Sequence, residues 1–321
     1  MATAYYAVYV PRGRFAPSPS GDLHLGGART ALVAWLAARR DGGEFLVRIE
    51  DVDRPRVAPG AEASILEDLR WLGLDWDREP LRQSERLELY DQALSLLQEQ
   101  ELLFPCFCSR ADVAQAASAP HWPAQAYPGT CRDLTPEEMA ERQAGGREPS
   151  LRFRAPDHEL CFHDALHGRV CQRSDDFVVR RSDGLHAYQL AVVVDDVASG
   201  IEEVVRGDDL LDSTVRQLLL YEAIGAKAPR FAHVALVVGS DGQRLSKRHG
   251  SISVRALREA GWAATQVVGW LGASLGLCEP GERPGPRELA TDFSFSRIGC
   301  EPVAVDPASL TGPSDSQPAT C

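Results

Sequence analysis

Apolar residues in the first hundred positions recur at two alternating periods. Phe45, Val47 and Ile49 alternate with polar neighbours, the period of a strand, and predict one over residues 44–51. Ala28, Leu32, Trp35 and Leu36 recur at helical spacing, as do Ile65, Leu66, Leu69 and Leu72, whose helix stops at Gly73. Leu87, Tyr90, Leu94 and Leu97 mark another helix, and a strand is expected to end near Phe15. Strand and helix in alternation predict a parallel α/β sheet. The pattern lapses after Phe104. Residues 106–146 are rich in Pro, Gly and Ala, and only Leu151–Phe153 and Asp176–Arg180 read as short strands, so this stretch is an insertion into the α/β domain.

The α/β pattern returns at Leu190–Val194, a continuous apolar run that reads as a buried parallel strand. Asp212 or Ser213 caps a helix carrying Val215, Leu218 and Leu219, which Gly225 closes. Val234–Val238 is a further buried strand, and a small helical unit spans Val254–Leu277. Seven of the 21 prolines lie beyond it, so residues 279–321 are expected to be mostly disordered. The predicted organisation is a catalytic α/β domain in two halves (1–103 and 186–250), an insertion (104–185), a helical unit (251–278) and the tail (279–321).

A chain of 321 residues with 44% hydrophobic residues can bury a large core. No run reaches the roughly 18 apolar residues of a membrane span, and no basic start leads into an apolar stretch, so the expected location is the cytoplasm. The net charge of −12 argues against a broad, sequence-blind nucleic-acid coat but leaves room for a local basic groove.

Candidate chemistry sits first in Arg14–Gly27. Pro17, Pro19 and Gly21 forbid helix until about Leu23, so the chain turns sharply after its strand and a helix begins near His24. Its N-terminal amides would face an anion. Gly26 and Gly27 would let a nucleotide approach, and His24 can donate to charge developing on an α-phosphate. A second segment, Arg244-Leu245-Ser246-Lys247-Arg248, follows an apolar strand and a Gly-Ser-Asp-Gly turn. A lysine on a mobile loop suits a pentavalent phosphoryl transition state, and Ser246 adds a hydrogen bond. Either segment alone is ordinary, a capped helix or a solvated basic loop. The two in this order point to ATP cleaved after its α-phosphate.

Of eight cysteines, Cys106, Cys108 and Cys131 are grouped. Three thiolates and one further ligand make a closed tetrahedral zinc site. Tyr127 and His121 are the fourth candidates, the imidazole being chemically the better ligand. Cys161, Cys171, Cys278, Cys300 and Cys321 are scattered and are expected to act as small hydrophobes, without disulfides in a reducing compartment.

With these motifs in place, the chain resembles the class I aminoacyl-tRNA synthetases of the glutamyl type over roughly residues 12–275. His24-Leu25-Gly26-Gly27 stands where that family has its HIGH tetrapeptide, and Arg244–Arg248 where it has the KMSKS loop; Arg48–Asp53 and Glu203–Leu210 match as well. The resemblance implies a Rossmann-type catalytic domain that adenylates L-glutamate with Mg²⁺-ATP. It implies His24 and Lys247 as catalytic groups, and His24, Gly26, Gly27, Ser246 and Lys247 as ATP-binding. Glutamate has one ammonium and two carboxylates, so its pocket needs an acid and at least one arginine. By resemblance Glu50 holds the ammonium, and Arg14 and Arg206 are the carboxylate clamps. Tyr188 gives a hydroxyl, and Phe15, Ala16, Pro17 and Ser18 complete the pocket.

The short stretch after the KMSKS-like loop is too small for the anticodon-reading domains of full glutamyl enzymes. With the Cys/Tyr pattern, it is similar to the short paralogues that glutamylate queuosine in tRNA(Asp), whose zinc ligands are Cys, Cys, Tyr and Cys. That likeness implies Cys106, Cys108, Tyr127 and Cys131 around a structural zinc, and transfer of glutamate to the cyclopentenediol of queuosine. Two alternatives stand beside it: a short enzyme charging a tRNA 3′ end, and a non-catalytic paralogue that binds ATP and glutamate.

Overall fold

In a computed structural model the described residues are 11–109, 111–113, 127–239 and 252–305. In chain order the first half gives β1 (Arg12–Phe15), α1 (Leu25–Arg39), β2 (Glu44–Ile49), α2 (Ala61–Trp71), β3 (Leu81–Arg82) and α3 (Leu87–Glu99). Then come β4 (Leu103–Cys106), α4 (Pro136–Ala144), β5 (Ser150–Phe153), β6 (Glu159–Asp164), β7 (Gly168–Arg173) and β8 (Phe177–Arg180). The second half gives α5 (Tyr188–Ala198), β9 (Glu203–Gly207), α6 (Ser213–Ala223), β10 (Arg230–Val234) and β11 (Val237–Gly239). After the undescribed residues 240–251 follow α7 (Val254–Glu259), α8 (Ala264–Ser274), α9 (Pro286–Thr291) and β12 (Val303–Val305).

The main sheet runs β3-β2-β1-β9-β10-β6-β7, parallel except for β7, which hairpins back on β6. From β1 the chain winds outward in one direction through β2 and β3, and β9 and β10 extend in the other. The order therefore reverses between β1 and β9, and a crevice opens there beyond the strands' carboxyl ends, the place where open α/β sheets bind ligands. α1 is apolar nearly all round (Leu25, Ala28, Ala31, Leu32, Val33, Trp35 and Leu36 are all buried), as expected of a helix enclosed by protein. It packs on β1, β2 and β9 and is covered by α8 and α9. A second core, with Tyr90, Leu97, Leu190, Val193 and Leu220, lies across α3, α5 and α6.

Five expectations change. Val234–Val238 is not one strand: β10 ends at Val234, β11 begins at Val237, and the two pair in different sheets. Leu190–Val194 is not a strand: it is the middle of helix α5, capped at Ala187 and running to Ala198. Burial from several sides makes the run continuously apolar, a signature that a buried helix and a buried strand share. The insertion is not self-contained either. β4, β5 and β8 form its own antiparallel sheet, but β6 and β7 join the main sheet beside β10. Within that hairpin Cys161 and Cys171 face each other across the strands and form a disulfide, which the scattered spacing did not suggest. Finally, residues 279–305 are ordered. Leu289, Phe293 and Ile298 are buried in the core beside α1, and β12 pairs in parallel with β11. No described helix is long and apolar enough to cross a membrane.

Candidate active site

His24 occupies the N-cap of α1. Its backbone is extended, and its Nδ1 accepts a hydrogen bond from the Gly27 amide at 3.0 Å. A ring whose Nδ1 accepts carries its proton on Nε2 when neutral. The donor that a phosphate needs is thus fixed by the cap itself, at the positive end of a 15-residue helix. The glycines also make room for this ring: a Cβ on Gly26 would lie 3.2 Å from His24 Nδ1, and one on Gly27 3.0 Å from Leu23 Cδ1.

Ser246 and Lys247 fall outside the described residues, but both flanks of their segment lie at the His24 turn. On the entry side, Val237 Cβ is 3.7 Å from where a Gly26 Cβ would stand. On the exit side, the Leu25 amide donates to Ile252 O at 3.1 Å and the Val254 amide to Leu23 O at 2.8 Å, with His24 and Ser253 bridged.

Beyond β1 and β2 the chain builds a buried ionic cluster. The Glu50 amide donates to Pro17 O at 3.0 Å, tying the turn to the end of β2. Arg48 pairs with Glu50 at 3.2 Å, closely with Asp196, and with Asp195 at 3.8 Å. Arg14 donates through Nε to Asp196 at 3.2 Å and through Nη1 to Val205 O at 3.3 Å. Asp195 also accepts from Gln83, Arg86 and Tyr90 at 2.6–2.8 Å. Burial works to raise Asp196, but Arg14 and Arg48 outweigh it and hold its carboxyl below the usual range. For Glu50 burial prevails over Arg48 and Arg14, and the carboxyl is pushed up.

Arg206, at the end of β9, differs from Arg14. It is only 4% exposed, and its donors meet His233 Nε2 at 2.9 Å, Gln217 Oε1 at 2.7 Å, Thr214 Oγ1 at 2.8 Å and Leu210 O at 3.3 Å. None of these is an acid, and among the described residues Arg206 has no ion pair. Arg14 faces a carboxylate, whereas the direct hydrogen-bond partners of Arg206 are all neutral.

A cavity of about 1160 Å³ opens above this cluster, lined among others by Ser18, Glu50, Arg152, Arg181, His186 and Tyr188. Tyr188, at the start of α5, lines it and is 37% exposed, while Arg14 and Arg206 are buried. Phe15 is buried at the end of β1, and Ala16 and Pro17 lead from it to Ser18.

Of the grouped cysteines, Cys108 lines the same cavity. The three Sγ atoms lie within 4.8 Å of one another, with Cys108 and Cys131 3.6 Å apart. Zinc–thiolate bonds of about 2.3 Å at tetrahedral angles put sulfurs about 3.8 Å apart, so the donor set fits zinc. Tyr127 Oη lies 3.4 Å from Cys106 Sγ and accepts from the Cys131 amide at 2.7 Å. Arg142 donates to Cys131 Sγ at 3.2 Å, and the Arg152 guanidinium stacks 3.8 Å from the Tyr127 ring. His121 lies outside the described residues. Sequence reasoning missed Asp195, Asp196 and the acceptors around Arg206. Two adjacent acids closing an apolar run, and a histidine inside Phe231–Val234, were the available signals.

A helix-capping histidine at the switch point, beside a pocket of paired acids and arginines, defines an enzyme built to bring an amino acid to a nucleotide phosphate. The chain belongs to the tRNA synthetases class I (E and Q), whose catalytic domain matches residues 11–276. It is 52% identical over 309 residues to the glutamyl-Q tRNA(Asp) synthetase of Symbiobacterium thermophilum, covering 91% of this chain and 95% of that one. To the protein of the same name from Nocardia farcinica it is 51% identical over 303 residues, covering 94% and 96%. Among solved structures, a glutamate tRNA ligase from Elizabethkingia meningosepticum in complex with its amino acid superposes with a TM-score of 0.81 at 29% identity, over 94% of this chain and 68% of that one.

Proposed function

We propose that this protein activates L-glutamate with ATP, without needing tRNA, and transfers the glutamyl group to the cyclopentenediol of queuosine in the anticodon of tRNA(Asp). The observation that carries the first step is Arg206. Arg206 is buried and every group that touches its guanidinium is neutral, so a carboxylate of glutamate would be its first anionic partner among the described residues. The ammonium of glutamate meets Glu50, and a carboxylate meets Arg206. Glutamine would leave the Arg206 charge buried without an anion, a strong basis for rejection.

In the first step the α-carboxylate of glutamate attacks the ATP α-phosphorus in line and pyrophosphate departs. His24 Nε2–H and Lys247 Nζ stabilise the charge that develops on the phosphate, and the α1 amides support it. Mg²⁺ bound with ATP supplies charge neutralisation for the pyrophosphate. In the second step a hydroxyl of the diol attacks the mixed anhydride and AMP leaves. The large cavity beside Glu50 and Tyr188 has room for a nucleoside ring as well as the amino acid. The acceptor itself is supported by the two short relatives, matched over nearly their whole length. Zinc held by Cys106, Cys108, Cys131 and Tyr127 would pin the insertion that walls this cavity, in the cytoplasmic setting where tRNA and thiolates coexist.

Labelled glutamate offered with tRNA(Asp) that carries or lacks queuosine tests the reading. Label should enter only the queuosine-bearing tRNA, and glutamate-dependent ATP–pyrophosphate exchange should proceed without tRNA. Label on the 3′ end of tRNA(Glu), or no exchange at all, would replace it with one of the alternatives.

A further inference from the structure

Behind Arg206 lies a chain of buried groups drawn from three neighbouring strands. His233 of β10 is the direct register partner of Arg206 in β9, and Asp164 ends β6 on the other side of β10. Asp164 and His233 are both 0% exposed. Asp164 Oδ2 lies 2.6 Å from His233 Nδ1, while Oδ1 accepts from the amides of Leu166 and His167 at 2.9 and 3.0 Å. Burial works to raise the Asp164 carboxyl, but His233 and those two amides hold it down to about 2, so it is an acceptor only. The proton of a neutral His233 must then sit on Nδ1, which leaves the Nε2 lone pair facing Arg206 Nε at 2.9 Å. Thr214 Oγ1 and Gln217 Oε1 hold the two Nη groups. Every direct partner of the guanidinium is neutral. β6, β9, β10 and α6 together fix the geometry, and the Asp164 carboxylate stands one residue removed from the guanidinium, behind the imidazole.

We propose that Asp164 and His233 are positioning residues for the amino-acid pocket: the carboxylate sets the imidazole tautomer, and the imidazole aims Arg206 at the side-chain carboxylate of glutamate without neutralising it. Preference for glutamate over glutamine is then set two residues away from the ligand. This inference rests on the proposed role of Arg206 above.

Asp164→Asn tests it. The three amides at Oδ1 dictate which way the new side chain turns, with its oxygen toward the amides of Leu166, His167 and His233 and its NH₂ toward the His233 ring. That NH₂ donates to Nδ1, moves the ring proton to Nε2, and sets two N–H groups against each other at Arg206. In tRNA-independent exchange, glutamate KM should rise about tenfold or more while ATP KM stays within about twofold, and selection against glutamine should weaken. The histidine ¹⁵N spectrum should show His233 changing from the Nδ1–H to the Nε2–H tautomer. A variant that is merely less stable would shift neither the tautomer nor the ratio of the two KM values. If Asp164→Asn does not fold, His233→Phe and His233→Gln decide. Phenylalanine removes the acceptor and should raise glutamate KM; glutamine restores an acceptor oxygen and should recover much of it. Arg206→Ala separates this proposal from the reading beneath it. Unchanged glutamate KM in Arg206→Ala removes Arg206 from the pocket. A raised KM there, with normal KM in folded Asp164→Asn or His233→Phe, overturns the relay alone.

Discussion

His24 has two duties that a single substitution can separate. Its Nδ1 caps α1, and its Nε2 carries the proton offered to phosphate. Asparagine is a strong N-cap and lacks a donor at the Nε2 position, so His24→Asn should keep thermal stability and lose exchange rate. His24→Ala should lose both, with a stability cost of about 1 kcal/mol for the missing cap. Lys247→Ala should slow exchange about 100-fold or more, the scale of one lost oxyanion donor, with little change in glutamate KM. Glu50 adds a pH dependence whose sign is fixed. Burial raises its carboxyl against the pull of Arg48 and Arg14, and only the carboxylate pairs with an ammonium. Glutamate affinity should therefore fall as pH drops through that raised value, nearer neutrality than an ordinary glutamate would give. Glutamate KM measured across a pH series checks this, since Glu50→Gln should bind weakly at every pH and show no such slope.

At the scale of elements, the tail and the insertion make separate claims. Leu289 in α9 packs against α1 within the main core, so Leu289→Ala should cost about 2–4 kcal/mol in a denaturant titration. A tail that only decorates the surface would show almost none. The composition of residues 279–321 concealed this, because seven prolines and four glycines punctuate it while four spaced apolar residues, Leu289, Phe293, Ile298 and Val305, do the packing. The strand at Glu44–Ile49 was legible because Glu44 and Arg48 break its apolar run, and α1 because its apolar residues extend over more than three turns, too long for a strand. α5 was not, since its apolar run Leu190–Val194 is no longer than a buried strand and only the length of the whole element distinguishes it. The β6–β7 hairpin was hidden for a different reason: its exposed faces carry polar residues, and its place in the main sheet depends on β10, some sixty residues onward. In the site, residue types announced themselves where the turn or a grouped set of thiols concentrated them. The acceptors around Arg206 did not, since Thr214 and Gln217 of α6, His233 of β10 and Asp164 of β6 come from three separate elements and meet only in space.

Across the whole molecule, the proposed function assigns the two chemical steps to different parts of the structure. The His24 turn, the ends of β1, β2 and β9, and the Arg206 pocket all belong to the main sheet. The insertion contributes Ser150, Arg152, Cys108 and Ser109 to the lining of the cavity that Glu50 also lines, with Cys108 belonging to the thiolate cluster. Arg152 links the two, stacking on Tyr127 while lining the cavity. Structural zinc contributes its binding energy to the order of the segment it holds, and a small insertion with a core of few residues depends on that contribution. Stripping zinc with a chelator, or Cys131→Ala, should thus leave tRNA-independent exchange largely intact while transfer of glutamate to queuosine-bearing tRNA collapses. Metal analysis should find zinc in the untreated protein and not in the variant, and Tyr127→Phe should weaken zinc retention in a competition assay with a coloured chelator. Equal loss of both steps would mean that the insertion also shapes the adenylation pocket. Loss of neither would mean that the acceptor enters from another side of the crevice, away from the thiolate cluster.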